Sequence, residues 1–145
     1  MGIVQETIKG VMATVSNVSS ITCPCYFDHA PQTLTDGSEA KYPIIIINAI
    51  SSPRTYSMLD DTNYNHTYAR VRIQFRVFGN EDQQQEAMDI SDILEDTFKF
   101  KIGGSIGNAN IRWIGTYIND QNIKFFEEGE KIWSINTDMI FVVTD

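Results

Sequence analysis

Within Tyr68 to Phe78, YARVRIQFRVF, apolar and polar side chains alternate without a break from Ala69 to Val77. Ala69, Val71, Ile73, Phe75 and Val77 fall on one side of an extended chain, and Arg70, Arg72, Gln74 and Arg76 on the other. A period of two is the mark of a β-strand with one buried face, because successive Cβ atoms point to opposite sides. A helix would scatter the same residues around its circumference. The segment therefore predicts a sheet with a core on one side and a basic surface on the other. Three of the chain's 11 Lys and Arg residues stand on that surface, although the formal net charge is −8. Something must account for arginines concentrated on an otherwise acidic chain.

The flanking sequence supplies the rest of an α+β domain. Ile3, Val4, Ile8, Val11, Met12, Val15 and Val18 recur at helical spacing and predict a helix over 3–18. A short extended piece is expected at 21–27, then a polar, turn-rich loop at 28–41. The run from Ile44 to Ile50 is apolar with little alternation, the pattern of a strand covered on both faces. Residues 51–66 show no period. After the arginine strand, expected at 67–79, Asn80 can cap a helix over 81–98, with Gln83 as its capping-box partner and Ala87, Ile90, Leu94 and Phe98 turned inward. A glycine-rich break at 102–108 precedes strands expected at 110–118, 122–127 and 131–143, the last two joined by a tight turn at Glu128-Gly129-Glu130. In the final strand Trp133, Ile135, Thr137, Met139, Phe141 and Val143 share a face, opposite Ser134, Asn136 and Asp138. With 145 residues, no linker and no internal repeat, residues 1–145 read as a single domain built on a mainly antiparallel sheet with two main helices.

Charge and motif content narrow the function classes. A net charge of −8 argues against unaided binding to DNA or to an anionic membrane. No apolar run reaches the roughly 20 residues of a membrane span, and the opening MGIVQETIKG lacks the basic start of a secretory signal. Cys23-Pro24-Cys25 places two thiols on a stiff span ill suited to a disulfide, so both are expected reduced, in a cytoplasmic setting. Asp28 and His29 follow, but a second ligand pair at zinc-site spacing is missing. Gly103-Gly-Ser-Ile-Gly107 fits G-x-S-x-G, yet strand-like NANIRW follows it, and His29 and His66 both precede it, where a nucleophile elbow needs a helix next and a histidine later. No catalytic group, metal or cofactor is expected.

Three candidate surfaces remain. Arg70, Arg72 and Arg76 either pair across the sheet with Asp138 or Glu127, their stems covering apolar surface, or meet a neighbouring subunit. Asp82, Glu86, Asp89, Asp92 and Asp96 form an acidic ridge on the second helix without an interleaved lysine. Like charges four apart cost about 0.2–0.5 kcal/mol per pair, so the ridge is either a tolerated solvated face or a surface kept negative towards a channel or a basic partner. Finally, residues 51–66 carry Tyr56, Met58, Leu59 and Tyr64 in a segment long for a connection, which predicts a docking arm unless those side chains fold back on the protein's own sheet.

The order YPIIIINAI, RVRIQFRVFGNEDQQQEAMDISDILEDTF and FFEEGEKIWSINTDMIFVV resembles the tail terminator, or tail completion, proteins of tailed bacteriophages. Tyr42, Pro43, Phe75, Phe78, Ala87, Ile90, Leu94, Glu128, Trp133 and Phe141 carry the likeness, which spans most of the chain. The Cys-Pro-Cys segment and the length of 51–66 lie outside it. The resemblance implies a non-enzymatic α+β subunit that assembles with itself into a six-fold ring. Such a ring caps the tail tube, ends its growth and offers a surface to a neck or head-completion protein. Its partners would be its own copies, the tube protein, the neck protein and, where the tail is contractile, the sheath protein. DNA would only pass through, without sequence-specific contact, and no membrane is involved. The implied location is the tail–neck junction of a virion assembled in the host bacterial cytoplasm. A neck connector or tail tube protein is the alternative within this class; a small hydrolase or ligand-binding enzyme is the alternative outside it.

Overall fold

The computed structural model describes residues 3–28, 41–49, 54–59, 65–99, 105–106, 108–127 and 131–144. The elements in chain order are α1 (Ile3–Ser16), β1 (Cys25–Phe27), β2 (Ile44–Ala49), β3 (Arg54–Leu59), β4 (Asn65–Asn80), α2 (Gln84–Lys99), β5 (Ser105–Ile106), β6 (Asn108–Glu127) and β7 (Ile132–Thr144). The strands make one seven-stranded sheet in the order β1-β2-β4-β7-β6-β5, with β3 also paired to β4. Among the described residues β1 and β2 run parallel and the other pairings are antiparallel. The fold is α+β, as the sequence pattern predicts.

The arginine strand, β4, organises the sheet. Its 16 residues are long enough to serve β2 along 73–78 and β3 along 65–70 on one edge. On the other edge β7 follows it from Tyr68 to Asn80. Both helices cover the same face. Val11 and Val15 of α1 and Ala87, Ile90, Leu94 and Phe98 of α2 join Ile45, Ile47, Val71, Ile73, Phe75, Val77, Ile135, Met139, Phe141 and Val143 in one buried cluster. Phe98 stacks on Phe75 (ring centroids 5.4 Å apart) and meets Phe141 edge-on (5.2 Å), an aromatic clasp between α2, β4 and β7. A buried hydroxyl pair, Ser91 Oγ and Thr137 Oγ1 at 3.1 Å, satisfies the polar atoms that α2 and β7 bring into this core. Ile44 to Ile47 are buried on both sides of the sheet, as their unalternating pattern requires.

Several boundaries differ from the sequence expectations, each for a local reason. α1 ends at Ser16 rather than 18, closing in a turn in which the Asn17 amide donates to the Ala13 and Thr14 carbonyls. α2 begins at Gln84, not 81. The Gln83 side chain does accept from the Asn80 amide (2.8 Å), but Asn80 to Gln83 form a separate turn, and the Gln83 carbonyl takes the first helical bond from Ala87. The strands expected at 110–118 and 122–127 are one strand, β6, whose register slips against β7 between Trp113 and Gly115, Ile118 and Asp120, and Asp120 and Ile123. Bulges absorb the polar Asn119–Gln121 stretch without ending the pairing. The supposedly aperiodic 51–66 contains β3, paired with β4 from Arg54↔Arg70 to Leu59↔Asn65. Within the glycine-rich 102–108, Ser105 and Ile106 form β5 against β6, so Ser105 sits on a strand followed by a strand, not at an elbow. The turn expected at 128–130 and most of the 28–41 loop lie outside the described residues.

Candidate functional site

Strand parity gives the sheet's second face its composition. Opposite the core lie Ile44, Ile46 and Asn48 of β2, Arg70, Arg72, Gln74, Arg76 and Phe78 of β4, and Ser134, Asn136, Asp138, Ile140 and Val142 of β7, in register rows such as Asn48–Gln74–Asp138. Three arginines thus share the face with one carboxylate among these residues.

Each arginine meets a different environment. Arg72 Nη2 donates to Asp138 Oδ2 at 2.6 Å. The register places Arg72 opposite Ile140 and Asp138 opposite Gln74, so this is a diagonal pair that only a long side chain can close. The carboxylate side chain is 8% exposed and the arginine 36%. Arg76 holds its guanidinium 4.8 Å from the centre of the Phe78 ring, two residues along the same strand, as a cation over an aromatic face. Arg70 is exposed, near the β3 end of the face. Glu127 is placed elsewhere: it stands on β6, in the row of Ile132 and Asn80, with β7 between it and β4. Of the two carboxylates considered from sequence, the structure brings Asp138 to an arginine through this ion pair. Arg72 Nε and Asn48 Oδ1 are buried without a hydrogen-bond partner within the chain.

The acidic ridge forms the outer surface on the opposite side of the molecule. The buried stripe of α2 is Ala87, Ile90, Ser91, Leu94 and Phe98. At about 100° per residue, Asp89, Asp92 and Asp96 point away from that stripe and are exposed together with Glu86; Asp82, expected on the helix, is exposed in the turn that precedes it, because α2 starts only at Gln84. Lys99 pairs with Glu95, 3.8 Å apart, one turn back on the same helix. The end of α2 nearest β4 is tied down by three contacts: Gln83 Nε2 donates to the Tyr42 carbonyl (3.4 Å), Trp133 Nε1 donates to the Glu81 carbonyl (3.2 Å), and Gly79 packs closely beneath Gln83. A Cβ on Gly79 would lie 3.0 Å from the Gln83 carbonyl oxygen.

The remaining candidates occupy other places. Tyr56, Met58 and Leu59 lie on β3, so the backbone of this segment belongs to the subunit's own sheet; Tyr64 is outside the described residues. Cys23 and Cys25 are free thiols packed beside the core. Burial pushes the Cys23 thiol up, and it pushes Cys25 up to about 12, with Cys23 adding to the effect. Among the described residues no group of three or more His, Cys, Asp or Glu could hold a metal ion. No described helix is long and apolar enough to cross a membrane. Two features escaped the sequence reading. Phe78 is the platform for Arg76, a role its even-numbered position signals. Phe27, 44% exposed, borders an apolar groove with Ile8 and Met12 of α1, which no local pattern announces.

No protein-family model and no curated protein matches the sequence. Among solved structures, a chain from the virion of a native gene transfer agent (GTA) particle superposes with a TM-score of 0.54. The superposition covers 99% of this chain and 92% of that one at 12% identity. The two chains share a fold.

Proposed function

We propose that this chain is a structural protein of a tailed, phage-like virion. The single observation that carries the reading is the whole-chain likeness to a chain of a gene transfer agent virion. Within that class we propose a tail terminator: a ring of this chain, six-fold by the family resemblance, that caps the tail tube, stops its growth and presents a surface to the neck. The described surface suits such a role, because its charge is segregated into a basic sheet face and an acidic helix face. Closed heterologous rings need two different complementary patches on one subunit. In this reading the protein performs no catalysis, and DNA passes it without being gripped.

Deleting the gene and imaging the resulting particles tests the proposal. A terminator predicts tails of uncontrolled length that fail to join heads. Tails of normal length without heads would assign the protein to the neck, and absence of tails would make it a tube component. Normal infectious particles would refute a structural role altogether.

A further inference from the structure

The two charged surfaces lie back to back. α1 and α2 press on one face of the sheet, Arg70, Arg72 and Arg76 project from the other, and the acidic stripe of α2 points away from the sheet altogether. A symmetric, face-to-face dimer through either surface would bring like charges together. A head-to-tail contact would bring opposite ones together. We infer that the arginine face of one copy docks on the acidic face of α2 of the next, with Arg70 and Arg76 meeting the stripe that includes Asp89 and Asp96. This deepens the ring reading above, since it names the partner of the arginine face as a second copy of this chain.

The division of labour among the arginines supports it. Arg72 is committed to Asp138 within the subunit, which anchors the face. Arg76 is held over Phe78, a geometry that fixes the guanidinium without using its hydrogen-bond donors on a carboxylate. Phe78 and Ile140 are half-buried on the same face, so a docked helix would cover apolar surface as well as pair charge. On the other side, Asp89 and Asp96 are exposed, and the helix from Gln84 to Phe98 contains no Lys or Arg to neutralise them.

Charge reversal on each face tests the pairing, and the anchor pair is left intact. Arg70→Glu/Arg76→Glu alters only the basic face; Asp89→Lys/Asp96→Lys alters only the acidic one. Sedimentation velocity of the full chain reads the oligomer, and circular dichroism checks that each variant melts as the unaltered protein does. Each double variant alone is expected to weaken self-association by at least about tenfold. An equimolar mixture is expected to restore it, because every contact in an alternating assembly again joins opposite charges. Raising the salt from 0.05 to 0.5 M is expected to weaken the unaltered assembly, as screening shortens the Debye length to a few ångströms. Folded variants that associate as tightly as the unaltered chain overturn the inference, as does a mixture that stays dissociated. Unaltered self-association with loss of retention on immobilised double-stranded DNA would assign the arginines to a polyanion instead. These outcomes leave the tail-length phenotype untouched, so failure of the pairing is distinguishable from failure of the virion reading.

Discussion

The Arg72–Asp138 pair makes an asymmetric prediction. The two partners differ in burial: the Asp138 side chain is 8% exposed, while the Arg72 side chain is 36% exposed. Removing Arg72 as Arg72→Met keeps most of the stem but strands a carboxylate that water barely reaches. Removing the charge from Asp138 as Asp138→Asn leaves an arginine whose head can turn to water, and an amide oxygen that still accepts a hydrogen bond. Breaking a fully buried pair costs about 3–5 kcal/mol. Partial exposure of the arginine lowers this, so Arg72→Met is expected to lose about 2–3 kcal/mol, nearer the cost of an unsatisfied buried polar group. Asp138→Asn is expected to lose about 1 kcal/mol, the net worth of a charge-assisted hydrogen bond weakened but not abolished. Urea unfolding of dissociated subunits, at a concentration and salt where self-association is absent, measures both. An Asp138→Asn loss equal to or larger than that of Arg72→Met would refute the reasoning, because the cost would then not follow burial.

Three further outcomes follow from particular contacts. Gly79→Ala puts a methyl 3.0 Å from the Gln83 carbonyl oxygen and 3.1 Å from the Gln83 Cβ, so the start of α2 must shift; thermal melting should show a loss of about 1–3 kcal/mol. Cys25 titrates near 12 in the fold against 9.0 ordinarily, so folded chains hold this proton where unfolded ones release it. Its contribution is therefore present below pH 9 and is lost as pH rises from 9 towards 12. The Cys25→Ala variant should flatten that part of the stability–pH profile, and native thiols should react slowly with a disulfide reagent at pH 8. Amides of β3 that donate to β4 should be protected from hydrogen exchange in the free subunit, since the two strands pair along 54–59 and 65–70. Rapid exchange there, slowed only on assembly, would support the docking-arm expectation for Tyr56, Met58 and Leu59.

How much the residues reveal by themselves depends on how local the determining interaction is. The alternation in β4 and β7 and the helical stripe in α2 named their inward faces correctly: Val71, Ile73, Phe75, Val77, Ala87, Leu94, Phe98, Ile135, Met139 and Phe141 are all buried. Periodicity suffices there because side-chain direction is set by backbone geometry over a few residues. It also placed three arginines on one surface and the aspartates of α2 on another. It could not say that these surfaces lie on opposite sides of the subunit, because that depends on which sheet face the helices cover. Nor could it see β3, whose residues RTYSML carry no clean alternation and become a strand by lying along the free edge of β4. The continuity of β6 through Asn119–Gln121 was hidden for the same reason, since turn-forming residues are held extended by bulged pairing to β7. Sequence pattern offered Arg72 two carboxylates. Only the register, which sets Asp138 one diagonal step from it and carries Glu127 to the far side of β7, decided between them.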